Sequence, residues 1–185
     1  GRKLLSDAGW VDHDGDGILD RAGKKFAFTF LYPSASVAAE RLSTVLKEEL
    51  KNVGIDMTIE RLEWGAFLDK IIKREFDSFM LAWTIKYEYD PFQIWDSSQA
   101  DVPGSSNFIS FKNDEASALL MRARVEMNEK QRNQFYHEFH ALIYDLQPCL
   151  FLYTRPKMVL VSRRFGNVQV HKTGVEVLEW RVGGE

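Results

Sequence analysis

The chain has 185 residues, is 45% hydrophobic and 28% charged, and carries a formal charge of -3 at pH 7. That length can bury a real core, within one domain or one lobe of something larger. Acidic and basic residues are interspersed, so no basic face is set aside for nucleic acid or an anionic membrane, and no apolar run approaches the ~20 residues of a membrane span.

Cys149 is the only cysteine, which rules out an internal disulfide and leaves the redox compartment open. Aromatic residues make up 13%, with 5 Trp, a content that serves cores and also pockets for amphipathic ligands. The opening Gly1-Arg2-Lys3-Leu4-Leu5 already has a helical pattern and no initiator Met. The sequence therefore reads as a piece of a longer chain, in which a missing signal peptide says nothing about location.

A short helix is expected over residues 3–9, followed by an acidic loop. Phe26, Phe28, Phe30 and Tyr32 alternate with Ala27, Thr29 and Leu31, which predicts a strand with one aromatic face, closed by Pro33. Ser34 or Ser36 can cap the next helix, whose stripe is Leu42, Val45, Leu46, Leu50 and Val53, with Gly54 in the position of a C′ glycine. Met57 and Ile59 alternate in a second strand. Strand, helix and strand within ~35 residues form a parallel crossover unit.

A second cycle follows. Trp64, Phe67, Leu68, Ile71 and Ile72 make one helical stripe, and the apolar run Phe76–Ile85 has the composition of a strand buried on both faces. Residues 86–110 are mostly loop, with a helical turn at Phe92–Trp95; long irregular segments of this kind often carry function. Asn113 caps a helix that turns Ala116, Leu119, Leu120 and Ala123 inward. Asn128 caps another, with Gln131 placed as in a capping box and Phe135, Phe139, Leu142, Ile143 and Leu146 inward. Pro148 ends it, and Cys149–Arg155, Val159–Val161 and Val175–Trp180 are further expected strands. The class is α/β, a mixed, largely parallel sheet flanked by helices, in a single domain spanning 1–185.

Several chemistries can be weighed on this frame. Asp12, Asp14, Asp16, the Ile18 carbonyl and Asp20 stand at the offsets of a calcium loop, which wants six to eight oxygens. Position twelve, the bidentate Glu of an EF-hand, is Gly23, so the loop is either an incomplete calcium site or a tight acidic turn built on Asp-Gly pairs. His137 and His140 are one residue short of the HExxH spacing and have no third ligand, so an ordinary helix surface is expected. Cys149 reads as a buried apolar residue. No GxSxG, P-loop or strand-linked GxGxxG is present, so nothing supports catalysis. The stretch Leu81–Ser98 leaves a buried strand for an aromatic loop at the carboxyl end of a parallel sheet, where open α/β sheets bind ligands. Trp83, Tyr87, Tyr89, Phe92 and Trp95 can wall such a crevice, with Lys86, Glu88 and Asp90 as anchors; equally, these aromatics can simply cover the sheet edge.

The order of motifs, "RKLLSDAGWVDHDGDGILDRAGKKFAFTFLYP", "LKEELKNVGIDMTIERLEWGAFLDKIIKREFDSFMLAW", "DPFQIWDSSQ", "SNFISFKNDEASALLMRAR" and "PCLFLYTRPKMVLVSRRFGNV", resembles the C-terminal part of bacterial extracellular solute-binding proteins of family 5. The resemblance runs over essentially the whole chain. It implies part of the C-terminal lobe of a type II clamshell receptor, whose missing N-terminal lobe closes over a solute and docks on an ABC permease in the membrane. It further implies a periplasmic or extracellular, membrane-associated setting, non-covalent binding, no enzyme activity, and no required cofactor, with calcium an optional occupant of the acidic loop. The ligand wall it implies is Trp83, Tyr87 and Glu88, with Trp64, Asn107 and Phe108 beside them. Peptide-binding members carry an aspartate shortly after the Trp of the buried strand, which pairs with the peptide amino terminus. Here Lys86 and Tyr87 are nearest and neither is acidic, so a sugar, a metal chelate or another small solute stands beside an oligopeptide as the expected ligand. The competing expectation is a calcium-stabilised interaction module without a small-molecule site.

Overall fold

The computed structural model describes residues 1–83, 90–154, 158–171 and 174–183. Two compact units emerge. The first comprises Gly1–Trp83 and Gln93–Lys112, and the second holds the other described residues.

The first unit is organised by β3 (Ala27–Pro33), which pairs in parallel with β4 (Asp56–Leu62) on one side and β5 (Ser78–Phe79) on the other. Alternation along β3 sends its side chains to opposite faces. Phe30 and Tyr32 join Ala39 and Met57 in one buried cluster, against Leu46 and Leu50 of α2 (Val37–Lys51). Leu31 joins Phe67 and Ile71 of α3 (Trp64–Lys73) in a cluster on the other face. Helices therefore cover both faces of the parallel sheet, as expected for the class.

The ends of these elements follow local chemistry. Ser36, of the two serines considered, caps α2, its side chain accepting from the Ala39 N–H at 3.2 Å. Gly54 takes φ +82°, and a Cβ there would lie 2.8 Å from Leu19 Cγ, so both backbone angle and space require glycine. Among the described residues the apolar run from Phe76 is shorter as a strand than its pattern predicts: there only Ser78 and Phe79 form the ladder. Its side chains still divide between the faces, Met80 toward the α2 cluster and Phe79 and Leu81 toward the α3 cluster. Where β5 has not yet begun, the Asp77 carboxylate accepts from the Thr29 N–H at 2.9 Å and completes that edge of β3.

Ahead of the sheet, α1 (Arg2–Asp7) leads into the acidic loop and a hairpin of β1 (Asp20–Arg21) and β2 (Lys24–Lys25). Trp10 packs on Phe26 with ring centroids 4.4 Å apart, and Arg21 lies over the Trp10 ring. After the sheet comes the one-turn α4 (Phe92–Trp95).

The second unit contains the antiparallel pair α5 (Asp114–Val125) and α6 (Glu129–Leu146), capped by Asn113 and Asn128 as their sequences predict. Ala116, Leu119, Leu120 and Ala123 of α5 are buried, as are Phe139 and Ile143 of α6. The reciprocal half of the α6 cap comes from Glu126, whose carboxylate accepts from the Asn128 N–H at 2.7 Å. Two small ladders follow, β6 (Phe165–Gly166) with β9 (Arg181–Val182) and β7 (Val170–His171) with β8 (Gly174–Val175). The expected strand at Val175–Trp180 reduces to β8 and a helical turn at Val177–Glu179. Those expected at Cys149–Arg155 and Val159–Val161 form no ladder among the described residues, although their composition favours strand. A strand exists only with a hydrogen-bonding neighbour.

Phe67 is fully buried between sheet and helix, whereas Trp64, three residues earlier, is 53% exposed. Phe67→Ala is expected to destabilise the chain by about 3–5 kcal/mol and Trp64→Ala by about 1 kcal/mol or less, as urea unfolding followed by circular dichroism would show.

Candidate functional site

A parallel sheet places all its carboxyl ends on one side, and here three connections emerge there. Ser34 follows β3, Glu63 and Trp64 follow β4, and Trp83 lies four residues past β5. The aromatic side chains among them form a continuous seam. Trp64 stacks on Phe67 at 5.8 Å, Phe67 meets Phe79 edge-on at 6.4 Å, and Phe79 meets Phe108 edge-on at 6.3 Å. Phe108 in turn stacks on Trp83 at 5.7 Å with the planes 9° apart. The middle of the seam is core, while its two ends, Trp64 and the 45%-exposed Trp83, face solvent. Exposed indoles held by stacking offer broad apolar contact with little conformational entropy left to lose.

Polar groups adjoin the seam. The Ser34 hydroxyl donates to Glu63 Oε1 at 2.8 Å, and Arg61 Nη2 donates to the Ser34 carbonyl at 3.1 Å. Sequence reading missed Arg61 and Glu63 in this role; the available signal was their place at and just beyond the end of a predicted strand.

Asn107 is 1% exposed, and its amide lies inside the loop. Its Nδ2 donates to the carbonyls of Asp96 at 3.3 Å and Phe111 at 2.9 Å, and its Oδ1 accepts from the Phe111 N–H at 2.8 Å. Expected on the ligand wall, Asn107 instead holds the loop that presents Phe108. A cavity of about 200 Å³ opens beside Phe108, lined also by Ile72, Arg74, Val102 and Ser105. It is smaller than a whole-ligand pocket and matches a side-chain recess. A larger cavity, about 360 Å³, lies elsewhere in the unit, against α1, the acidic loop and Gly54.

Of the other expected wall residues, Lys86, Tyr87, Glu88 and Tyr89 lie outside the described residues. Trp95 is buried against Phe111. Asp90 belongs to the second unit, where its carboxylate accepts from the Phe92 N–H at 3.2 Å and pairs with Arg124 Nε at 3.3 Å. Arg124 also lies over the Phe92 ring.

The acidic loop is internally satisfied. Asp12 accepts from the Gly15 and Gly17 N–H groups at 2.8 and 2.9 Å, and Asp16 accepts from the Ile18 N–H at 2.9 Å. Gly15 and Gly17 take φ +76° and +88°, the turn angles that the Asp-Gly pairs predict. Asp20 is turned to His13, whose Nδ1 lies 2.9 Å from it. Among the described residues, oxygens within 4.8 Å of one another come from Asp12, Asp14 and Asp16. Those three suit a hard cation in type but supply fewer donors than calcium takes. A cation is already built in, since Lys25 Nζ pairs with Asp16 and lies 3.4 Å from Asp14. The Lys25 ammonium, helped by the Ile18 N–H, holds the Asp16 carboxyl below its ordinary value, and Asp16 raises that of Lys25.

Similarities to known proteins bear on both places. Residues 1–104 match the family model described as bacterial extracellular solute-binding proteins, family 5, middle region. The oligopeptide-binding protein AppA of Bacillus subtilis (strain 168) is 33% identical over 154 residues, covering 82% of this chain and 28% of its own length. The solved structure of AppA from Bacillus subtilis in complex with a nonapeptide superposes with a TM-score of 0.80 at 28% identity, over 99% of this chain and 37% of that one. NikZ from Campylobacter jejuni, solved with Ni(L-His), shares the fold at a TM-score of 0.72 and 24% identity, over 80% of this chain and 30% of its own. The chain thus spans about a third of the length of these proteins.

Two outcomes follow for the acidic loop. Millimolar calcium is expected to move the melting temperature by about 1 °C or less, because the ion must displace Lys25, and Lys25→Gln should enlarge the response. A large shift that Lys25→Gln leaves unchanged would show a site independent of the lysine. The Asp16–Lys25 contribution is present above the ordinary carboxyl value of 3.8 and is lost as pH falls through the lowered folded value. At full exposure it is small and fades with salt, which acid titration at low and high ionic strength would check.

Proposed function

Since the chain belongs to the bacterial extracellular solute-binding proteins of family 5, we propose that it supplies one wall of the solute site in a peptide receptor that serves an ABC importer. The observation that carries this is the aromatic seam from Trp64 to Trp83 at the carboxyl ends of the parallel strands, with an exposed indole at each end. Open α/β sheets bind ligands on that side.

The wall consists of Trp83, Phe108 and Trp64, and Tyr87, Glu88 and Lys86, which follow Trp83 in sequence, are the further ligand-binding residues of this reading. Arg61 and Glu63 add charge of both signs beside it. Asn107 is a positioning residue that sets Phe108 in place. Peptide is favoured over other solutes because the relative of highest identity given above is an oligopeptide-binding protein whose solved structure holds a nonapeptide. An extended peptide also presents what this wall accepts, apolar side chains for stacking and recesses and a backbone for polar groups.

Binding is non-covalent, without a reaction and without a required cofactor. The chain forms part of the C-terminal lobe, and the rest of a longer protein closes over the ligand. Closure desolvates the site, and a membrane permease reads the population of closed receptor. The setting is periplasmic or extracellular; among the described residues no helix is long and apolar enough to cross a membrane. The calcium-module reading draws support only from Asp12, Asp14 and Asp16, whose charge Lys25 already offsets in part.

Isothermal titration of the longer receptor with a nonapeptide and with dipeptides tests the reading. Binding is expected, with Trp83→Ala weakening it by at least about tenfold, or about 1.4 kcal/mol, and Trp64→Ala by less. The chain alone should bind far more weakly, because much of the enclosing wall is absent. Undiminished affinity in Trp83→Ala would remove this wall from the site.

A further inference from the structure

Helix α3 ends on a residue poorly suited to its backbone. Arg74, the C-cap, takes φ +60° and ψ 34°, the left-handed conformation. Backbone groups alone make the turn: the Arg74 N–H donates to the Ile71 carbonyl at 3.1 Å, and the Glu75 N–H to the Lys70 carbonyl at 2.9 Å. Glycine or asparagine ends a helix in this way at less cost, since a Cβ crowds the neighbouring carbonyl when φ is positive. Nothing in the cap calls for a long cationic side chain.

That side chain serves another segment. Arg74 Nη2 donates to the carbonyl of Ala100, 26 residues further along the chain. Ala100 has no exposed surface, and a carbonyl so placed loses free energy when its donor is taken away. Gln147, which ends α6 in the same conformation, instead turns its amide back to the Tyr144 carbonyl of its own helix.

From Ala100 a series of hydrogen bonds leads to the ligand wall. The Ser105 hydroxyl donates to the carbonyl of Gln99, the residue before Ala100, at 2.6 Å and accepts from the Asn107 N–H at 3.3 Å. Asn107 closes the loop onto Asp96 and Phe111 and is followed directly by Phe108, on which Trp83 stacks. Arg74 and Phe108 also line the same recess of about 200 Å³. The Asp101 carboxyl, next to Ala100, is held below its ordinary value first by the Lys112 hydrogen bond and further by the charges of Lys112 and Arg74. The guanidinium therefore attracts this end of the loop as well as bonding to it.

We propose that Arg74 is a positioning residue of the ligand site, pinning the loop 96–111 at Ala100 and thereby fixing Phe108 and the recess beside it. It acts through the loop. A wall set in place before the ligand arrives has less conformational freedom to lose on binding, so loosening it weakens affinity. The left-handed strain at the end of α3 is retained for reach, which neither glycine nor asparagine has. The proposal rests on the reading of the seam as a ligand wall and adds a residue from outside the seam.

Arg74→Gly and Arg74→Asn separate cap from pin, because both residues suit the left-handed turn and neither reaches Ala100. In the longer receptor without ligand, amides of residues 105–111 are expected to exchange at least ~10-fold faster in both variants. Nonapeptide affinity in isothermal titration should fall by at least about fivefold. The melting temperature should move by about 2 °C or less, because the relieved backbone offsets the lost contact. Arg74→Lys keeps a donor and a positive charge on a long stem and should restore most of the protection and affinity, since a single hydrogen bond is made rather than a bidentate fork. Unchanged exchange in Arg74→Gly and Arg74→Asn would overturn the pin. Faster exchange with undiminished nonapeptide affinity would overturn the positioning role and leave Arg74 as loop structure only. A longer receptor that binds no nonapeptide, yet exchanges faster in the variants, would sustain the pin and overturn the receptor reading, so the two failures are distinguishable.

Discussion

Parallel pairing of Ala27–Pro33 with neighbours on both sides governs the first unit. A central parallel strand has both faces to bury, and each crossover needs room for a helix, so α2 and α3 are drawn to opposite faces and supply the cover. Leu31 at 1% exposure and Phe30 at 7%, adjacent in sequence, lie in different clusters because the strand alternates. The same pairing brings Ser34, Trp64 and Trp83 to one end from positions spread over half a hundred residues. A ligand wall there requires no further device; it is a consequence of strand direction.

The aromatic seam turns that consequence into a surface. Phe67 and Phe79 are held by the packing of sheet and α3; Trp64 stacks on Phe67, and Trp83 stacks on Phe108, which meets Phe79 edge-on. Leaving two indoles in water forgoes roughly 1.5–3 kcal/mol of burial each, a loss that a partner seated on them would recover. Asn107 belongs to the same construction, since three hydrogen bonds from one buried amide fix the loop on which Phe108 is carried.

The acidic loop illustrates how a motif suited to a metal can serve as architecture. Carboxylates of Asp12 and Asp16 accept backbone N–H groups that a turn of this tightness would otherwise leave without partners, and Lys25 from the following hairpin offsets the charge of Asp14 and Asp16. The Leu19 N–H donates to the Gly54 carbonyl at 2.7 Å, which ties the loop exit to the turn before β4. The loop thereby joins the segment ahead of the sheet to the sheet itself.

Local signals were enough for the elements whose partners are near in sequence. The period-2 aromatics of Phe28, Phe30 and Tyr32, the caps at Ser36, Asn113 and Asn128, the glycine at 54 and the turn at Phe92–Trp95 were all legible, because capping, φ preference and alternation are properties of a few neighbouring residues. Three things were not. Trp64 and Phe67 share a helical stripe, yet only the tertiary structure decides that one is buried and the other is a solvent-facing wall. Asn107 reads as a loop polar residue, and only the closure of its loop shows that its amide faces inward. Leu150–Thr154 has the composition of a strand, yet forms no ladder among the described residues. Composition determines what a segment can pair with, but hydrogen bonds between strands and burial between layers are made by residues distant in the chain, and those the tertiary structure alone brings together.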